Sequence, residues 1–298
     1  MLERPDRRRS MLGAVAAILM ATTAVCALVA FDTRNAQTQP RALDVPYVPT
    51  PEHIVEAMLR LANPGPDDFL VDLGCGDGRI PITAAQKYGT RGFGVDLNPQ
   101  RIREARANAN RAGVTGIVDF IEGDLFKTDF KKASVLTLYL LPMVNMRLRP
   151  AILDMKPGTR VVSHAFHMED WEPDKKEEHG FRTIYHWIVP AKAAGNWTGN
   201  HGKSKLELKL AQKFQMVTGI ATLDGQQSPI GNGRISGEEI AFDISMPDGG
   251  ISRIKGRIGR GAIAGWPGVP ARDPIASSNR RLRRSSCASL RSIPPAEN

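Results

Sequence analysis

The stretch Val71-Asp-Leu-Gly-Cys-Gly-Asp-Gly-Arg79 places three glycines where an apolar strand must turn sharply into a helix. Glycine has no Cβ, so Gly74, Gly76 and Gly78 let the backbone take positive φ and approach a ligand closely. The spacing Asp-x-Gly-x-Gly-x-Gly differs from the G-x-G-x-x-G pattern that binds a pyrophosphate. One acidic residue stands before the first glycine and another lies inside the loop. These carboxylates disfavour a dinucleotide and suit a cationic ligand.

Acidic residues also mark the ends of the next two predicted strands. Asp96 lies 24 residues after Asp72, and Asp124 follows the third strand in Ile121-Glu-Gly-Asp-Leu125. Ligands of open α/β sheets bind beyond the carboxyl ends of the strands, where all three acids are expected. An ordinary strand–helix connection would explain the glycines alone, but not three acids in step with the strand ends.

This pattern resembles motif I of the class I S-adenosylmethionine (SAM) methyltransferases, with the resemblance extending over about residues 47–190. It implies SAM as the cofactor. Asp72 would hold the SAM ammonium directly or through water, Asp96 would accept hydrogen bonds from both ribose hydroxyls, and Asp124 would accept one from the adenine amine. The implied cofactor-binding set is Asp72, Gly74, Gly76, Gly78, Asp96 and Asp124.

Shorter segments look like a smaller group within that superfamily. The group contains bacterial proteins of unassigned substrate and the mitochondrial protein-lysine methyltransferases that act on adenine nucleotide translocase and on the c-subunit of ATP synthase. The resemblance implies methyl transfer to a nitrogen, foremost a lysine of a membrane-associated protein, but it does not identify the substrate. The segments are Pro46-Tyr-Val-Pro-Thr-Pro51, Gly76-Asp-Gly-Arg-Ile80, Leu97-Asn-Pro99, Gly123-Asp-Leu-Phe126, Tyr139-Leu-Leu-Pro142 and Arg160-Val-Val-Ser-His164.

The acceptor side of the site is expected after the fourth and fifth strands. Leu138-Tyr-Leu-Leu-Pro142 lacks the Asn or Asp with paired prolines typical of enzymes that methylate adenine or glutamine nitrogen, so a nucleobase substrate is disfavoured. Tyr139 and Pro142 are the candidates for the substrate-facing lip, although Tyr139 equally suits the core. His164 is a candidate proton relay from the lysine to water, or a residue that only binds backbone. The histidines are too scattered for a metal site, and methyl transfer needs no metal.

Alternating apolar runs and helical patterns predict an α/β fold, with a parallel, Rossmann-like methyltransferase sheet and helices on both faces. Strands are predicted at 69–73, 91–96, 118–122, 135–139, 160–164 and 183–189. Helices are predicted at 80–88, 99–112 and 145–155, and an earlier one begins at Pro51 with Thr50 as its cap. The methyltransferase domain is expected to occupy residues 46–192.

Residues 193–266 alternate apolar and polar residues between glycine-containing turns, which predicts an antiparallel β-rich module. Strands are expected at 205–210, 213–217, 239–245 and 251–258. The module suits either a structural lid or a docking surface. Residues 267–298 are rich in Ser, Pro and Arg, and predict a disordered basic tail.

The net charge of +9 lies partly at the ends of the chain, since residues 1–10 carry +2 and residues 267–298 carry +4. The other 256 residues carry +3, so the folded part gives no indication of a nucleic-acid partner.

Residues 1–45 are expected to be a signal or anchor segment and a linker. The 21 uncharged residues 11–31 follow Arg7-Arg-Arg9, a length between that of a signal peptide and that of a membrane span. We expect membrane anchoring or export, and the basic side would place the catalytic domain outside the cytosol. Because SAM is made in the cytosol, a catalytic domain that faces the cytoplasm is kept as an alternative. The alternatives are a small-molecule or lipid head-group methyltransferase, and a non-catalytic exported binding module that retains the fold.

Overall fold

The computed structural model describes residues 47–259 and 263–264. The predicted anchor at residues 11–31 and the predicted tail at residues 267–298 lie outside the described residues. Within the described part of the chain, no helix is both long enough and apolar enough to span a membrane.

Helices and strands alternate through the first part of the chain. The helices that the structure describes are α1 (Glu52–Ala62), α2 (Arg79–Tyr88), α3 (Pro99–Arg111) and α4 (Pro142–Leu153). The strands of the first sheet are β1 (Phe69–Leu73), β2 (Arg91–Asp96), β3 (Val118–Glu122), β4 (Val135–Leu138), β5 (Arg160–His164), β6 (Lys175–His179) and β7 (Arg182–Ile188).

The first sheet has the strand order β3-β2-β1-β4-β5-β7-β6. Strands β1 to β5 are parallel, and β1 pairs with β2 on one side and β4 on the other. The order of the strands therefore reverses at β1. Such a switch point opens a crevice at the carboxyl ends of the strands, and it places the loop after β1 at the ligand site.

Helices cover both faces of this sheet, as predicted. On one face α1 packs its apolar side against Leu70, Val135 and Val162 of adjacent strands. On the other face α4 packs against Val71 and Leu136, which alternate with the first set along the same strands. The period-2 alternation of buried side chains thus sends successive residues to opposite cores.

In this region one expectation was wrong and one strand was missed. The sheet is mixed, because β7 runs antiparallel to β5 and β6 runs antiparallel to β7. Only residues 180–181 separate β6 from β7, and so short a connection can join only antiparallel strands. Strand β6 was not predicted at all, because Lys175-Lys-Glu-Glu-His179 is a charged edge strand without apolar alternation.

Thr50 is not a helix cap. Helix α1 begins at Glu52, its N-cap position is Pro51, and no side chain caps it. The Oγ1 atom of Thr50 instead lies 3.2 Å from Nδ1 of His164. Thr50 therefore contacts a residue that is distant in sequence, rather than the start of the adjacent helix as predicted.

The remaining strands form a second sheet, entirely antiparallel, with the order β15-β14-β13-β12-β10-β9-β8 and β11 beside β10. Its inner face is a separate apolar core that includes Trp197, Leu208 and Phe242. The strands are β8 (Gly195–His201), β9 (Ser204–Lys213), β10 (Met216–Leu223), β11 (Gln226–Pro229), β12 (Gly231–Ser236), β13 (Glu239–Ser245), β14 (Ile251–Ile258) and β15 (Ile263–Ala264).

The antiparallel β-rich fold is confirmed, but the strand predicted at 213–217 was wrong. Phe214 and Gln215 form the turn between β9 and β10, and Phe214 has a φ of 52°. Apolar alternation continues through this turn because Phe214 packs on Trp171, in the connection between β5 and β6, with a ring centroid separation of 5.9 Å. The side chain of Gln215 also donates to the carbonyl of Glu172 at 2.7 Å.

Candidate active site

Asp72 is buried at the carboxyl end of β1, beside the switch point. Its Oδ1 atom accepts a hydrogen bond of 2.7 Å from the hydroxyl of Thr137 on β4. Burial, helped by the nearby carboxylates of Asp96 and Asp77 and opposed by the Thr137 hydrogen bond, raises the pKa of Asp72 to about 7. A carboxyl group in this position would gain its charge when a cation binds beside it.

The glycine loop adopts the conformation that its sequence predicts, with φ values of 78°, 53° and 80° at Gly74, Gly76 and Gly78. At Gly76 there is a second constraint, since a Cβ would lie 2.5 Å from the ring of Tyr47. Tyr47 therefore lies directly over the loop. The guanidinium of Arg101 stacks on the same ring, 4.4 Å from its centroid.

Asp96 is held by two backbone amides. Its Oδ2 atom accepts from the N–H of Gly76 and its Oδ1 atom accepts from the N–H of Asn98, both at 2.9 Å. Asn98 in turn caps α3 by accepting from the N–H of Gln100. The carboxylate is fixed at the end of β2, only half-buried, and it keeps lone pairs for a ligand.

The acidic residue inside the loop has a structural partner. Asp77 makes a 2.6 Å ion pair with Arg79, whose Nη1 atom also donates to the carbonyl of Thr50 at 2.7 Å. Partial burial raises the pKa of Asp77, but the hydrogen bonds and charge of Arg79 outweigh this and hold the pKa below its ordinary value. Asp77 is therefore already paired with a cation. Of the two acids that predicted a cationic ligand, only Asp72 supports that prediction.

Asp124 lies after β3, on the same edge of the sheet as the other two acids. Its Oδ1 atom accepts from the N–H of Phe126 at 2.9 Å, which stabilises the turn that follows. Lys127 lies 3.7 Å from its Oδ2 atom. The half-buried side chain thus shapes its own turn, while part of it remains accessible.

The predicted acceptor residues lie after β4 and at the end of β5. Tyr139 immediately follows β4 and is half-buried, and Pro142 is the first residue of α4. The ring of His164 packs against the ring of Tyr139 with a centroid separation of 4.0 Å. The structure therefore brings Tyr139 and His164 together and places Pro142 at the start of the neighbouring helix.

His164 is fully buried, with polar atoms near both of its ring nitrogens. Arg182 lies 3.4 Å from Nε2, and Thr50 lies 3.2 Å from Nδ1. Arginine can only donate, so Nε2 accepts and Nδ1 carries the proton toward the Thr50 hydroxyl. Burial, together with the charge of Arg182, lowers the pKa of His164 to about 4. A neutral, buried ring of this kind suits positioning of Tyr139 better than proton transfer.

Sequence reasoning missed three residues of the site. Thr137 supports Asp72, Tyr47 covers Gly76, and Arg182 faces His164. The alternation along β4 puts Thr137 on the same face as Asp72, so register could have identified it. Tyr47 and Arg182 lie far from the loop in sequence, and no local pattern points to them.

Known proteins resemble the part of the chain that contains this site. Residues 72–175 match the family model described as the ANTKMT methyltransferase domain. The chain is 46% identical over 151 residues to a protein-lysine N-methyltransferase of Saccharolobus islandicus (strain REY15A), a match that covers 49% of this chain and 94% of that protein. It is 34% identical to the lysine N-methyltransferase of the ATP synthase C-subunit from Mus musculus, over 51% of this chain and 61% of that protein.

Among solved structures, a protein described as an RNA methyltransferase from Salinibacter ruber, in complex with S-adenosyl-L-homocysteine, shares 48% sequence identity with the chain. The match covers 49% of this chain and 96% of that one, with a TM-score of 0.48.

Proposed function

The chain belongs to the SAM-dependent methyltransferase family of the lysine methyltransferases that act on adenine nucleotide translocase and on the ATP synthase C-subunit, and on that premise we propose that it methylates a lysine side chain of a protein. The archaeal relative supports this most directly, because the chain covers 94% of its length. The N-terminal and β-rich parts of this chain lie outside that match, which covers 49% of it.

One observation carries the fit to SAM: Asp72 is a buried carboxyl group whose pKa burial raises to about 7. The carboxylates of Asp96 and, although it is paired with Arg79, of Asp77 also raise this pKa, so a positive charge beside Asp72 is favoured. SAM has an ammonium and a sulfonium and no phosphate, so it supplies the positive charge that this pocket favours. The fixed carboxylate of Asp96 suits a ribose, whose hydroxyls are hydrogen-bond donors.

When bound, SAM supplies an electrophilic methyl group on a sulfonium. The protein's task is to align a neutral amine with that carbon and to exclude water. Tyr47 covers the glycine loop, and the packed pair Tyr139 and His164 borders the acceptor side. With SAM bound, the amine lone pair would form the new carbon–nitrogen bond while the carbon–sulfur bond breaks and sulfur keeps its electron pair, which would leave S-adenosyl-L-homocysteine and a methylated ammonium.

Lysine must be neutral before it attacks. In our proposal His164 does not take the proton that the lysine ammonium loses, because the ring of His164 is buried and its pKa is lowered to about 4. Desolvation lowers the pKa of an amine. An apolar entrance would therefore give a neutral lysine amine without a dedicated base. The proton passes to solvent at the entrance.

We also propose that residues 11–31 anchor the protein to a membrane. This rests on an apolar segment of 21 residues that follows a cluster of arginines. A topology reporter fused after Asn298 would decide on which side of the membrane the catalytic part lies. A readout in the cytosol would remove the difficulty of cofactor supply.

Calorimetry and mass spectrometry test the proposed function together. The full chain should bind SAM, and with labelled SAM it should transfer label to lysine in a protein extract. SAM binding without any labelled protein would reject the lysine assignment, and label confined to RNA or small molecules would replace it.

A further inference from the structure

Exposed apolar side chains concentrate at the carboxyl end of the first sheet, around the acceptor side of the site. Tyr47 and Val48 are 40% and 51% exposed, Leu141 is 37% exposed, Met143 is 83% exposed and Phe181 is fully exposed. We call these five residues the apolar rim. They come from the segment before α1, from the β4–α4 connection and the first turn of α4, and from the β6–β7 hairpin.

One buried residue connects these separate segments. His164 approaches Thr50 at 3.2 Å and Arg182 at 3.4 Å, and it packs on Tyr139. These contacts bring the segment before α1, the hairpin and the end of β4 to the same place. They therefore fix the relative positions of the three segments that carry the rim.

Three of the rim residues lie close in sequence to residues that contact His164. Val48, Leu141 and Phe181 each lie one or two residues from a residue that contacts His164. Consecutive Cα atoms are about 3.8 Å apart, so two residues span at most about 7.6 Å. Three exposed apolar residues thus lie within two residues of the contacts made around His164.

The charges of this part of the chain do not indicate a charged partner for the apolar rim. Residues 47–192 contain nineteen Lys and Arg and nineteen Asp and Glu, so this part of the chain is neutral overall. Two arginines near Tyr47 are engaged within the protein, in the 2.6 Å ion pairs of Arg79 with Asp77 and of Arg101 with Glu104. Shape and apolar contact, rather than charge, remain to recognise a partner.

We propose that the apolar rim binds the residues on either side of the acceptor lysine, so that the preferred substrate is a lysine within an apolar segment of a protein. This rests on the proposed lysine methylation, which requires a protein chain to enter at this edge of the sheet. The rim is continuous with that entrance. Apolar flanks would bury the rim side chains, and the lysine stem would pass between them with its amine toward the site.

Two short peptides with a single central lysine test the inference with the full chain. In one the lysine is flanked by Leu, Val and Ala, and in the other by Ser and Gln. We expect a KM at least about tenfold lower for the apolar peptide, since burial of a single large apolar side chain can supply that difference. Phe181→Ser and Met143→Ser should each raise this KM about tenfold, with SAM affinity unchanged.

Ile251→Ser is the matched control, because Ile251 is 77% exposed on β14 of the second sheet. It should leave both KM values unchanged. Equal KM values for the two peptides would overturn the inference, as would rim variants that lose binding to lipid vesicles while peptide kinetics stay the same. Binding of SAM without methylation of either peptide, or of any protein lysine, would reject the proposed function and the inference with it.

Discussion

The carboxyl group of Asp72 accepts its 2.7 Å hydrogen bond from the hydroxyl of Thr137, which lies 65 residues later in the chain and on the adjacent strand. The two side chains are register partners in the parallel pair of β1 and β4. Both are buried, and this neutral donor offsets only part of the cost of burying the carboxylate. The pair therefore holds a carboxyl group that would gain its charge when a cation binds beside it.

The first prediction concerns pH. The folded-state pKa of Asp72 is about 7, above its ordinary value of 3.8, so the folded chain holds a proton that the unfolded chain releases. Between these values the stability of the ligand-free protein should fall as pH rises. Asp72→Asn should remove this loss and raise the free energy of unfolding at about pH 8 by about 2–4 kcal/mol. Urea unfolding of both proteins at about pH 5 and pH 8 measures the effect, and identical pH slopes would contradict it.

The second prediction concerns SAM affinity. Asp96→Ala removes a carboxylate that would accept from two ribose hydroxyls, and it frees the amides of Gly76 and Asn98. The affinity should fall at least about 100-fold, because hydrogen bonds to charged groups contribute about 1.5–3 kcal/mol each. Calorimetry with SAM checks this. Asp119→Ala, at an exposed acid on β3, should bind like the wild type.

The third prediction separates two reasons for a glycine. Gly76→Ala meets both a φ of 53° and a Cβ position 2.5 Å from the Tyr47 ring. Gly113 has a φ of 69° with nothing within 4 Å of the added Cβ, so Gly113→Ala meets the backbone strain alone. Gly113→Ala should cost about 1 kcal/mol of stability and leave SAM binding intact. Gly76→Ala should cost more and weaken SAM binding, and equal effects of the two variants would argue against a role for Tyr47.

The fourth prediction concerns His164 as a positioning residue. Its pKa is lowered to about 4, chiefly by burial, so the ring should be neutral throughout the working range of pH. His164→Gln should lower kcat about tenfold by loosening Tyr139, without changing the shape of the pH–rate profile. The profile of the wild type and the variant between about pH 6 and pH 9 is the measurement. An ascending limb that disappears in the variant would restore the proton-relay interpretation.

The fifth prediction concerns the contact between the two sheets. Phe214 stacks on Trp171, and Gln215 donates to the carbonyl of Glu172. Phe214→Ala should therefore destabilise both sheets together, by about 2–3 kcal/mol, in a single unfolding transition. Tryptophan fluorescence and far-UV circular dichroism should report the same midpoint. Separate midpoints would show that the sheets unfold independently.

Local pattern was enough for most of the first sheet. Strands β1, β2, β3 and β5 lie where the alternation of apolar runs and helices placed them, and the runs of β1, β2 and β5 are almost wholly buried. The pattern failed at β6 and at the turn around Phe214. At β6 an edge strand has no apolar face to display, and at the turn an apolar residue is buried against a distant element.

The sequence by itself determined the cofactor loop and the end of β2. Positive φ at Gly74, Gly76 and Gly78 follows from the sharp strand–helix turn, and Asp96 belongs to a local cap, so the information lies within a few residues. Only the tertiary structure decided the acceptor side. Four segments separated by up to 132 positions meet there and contribute Thr50, Tyr139, His164 and Arg182. Long-range packing alone sets the contacts between them.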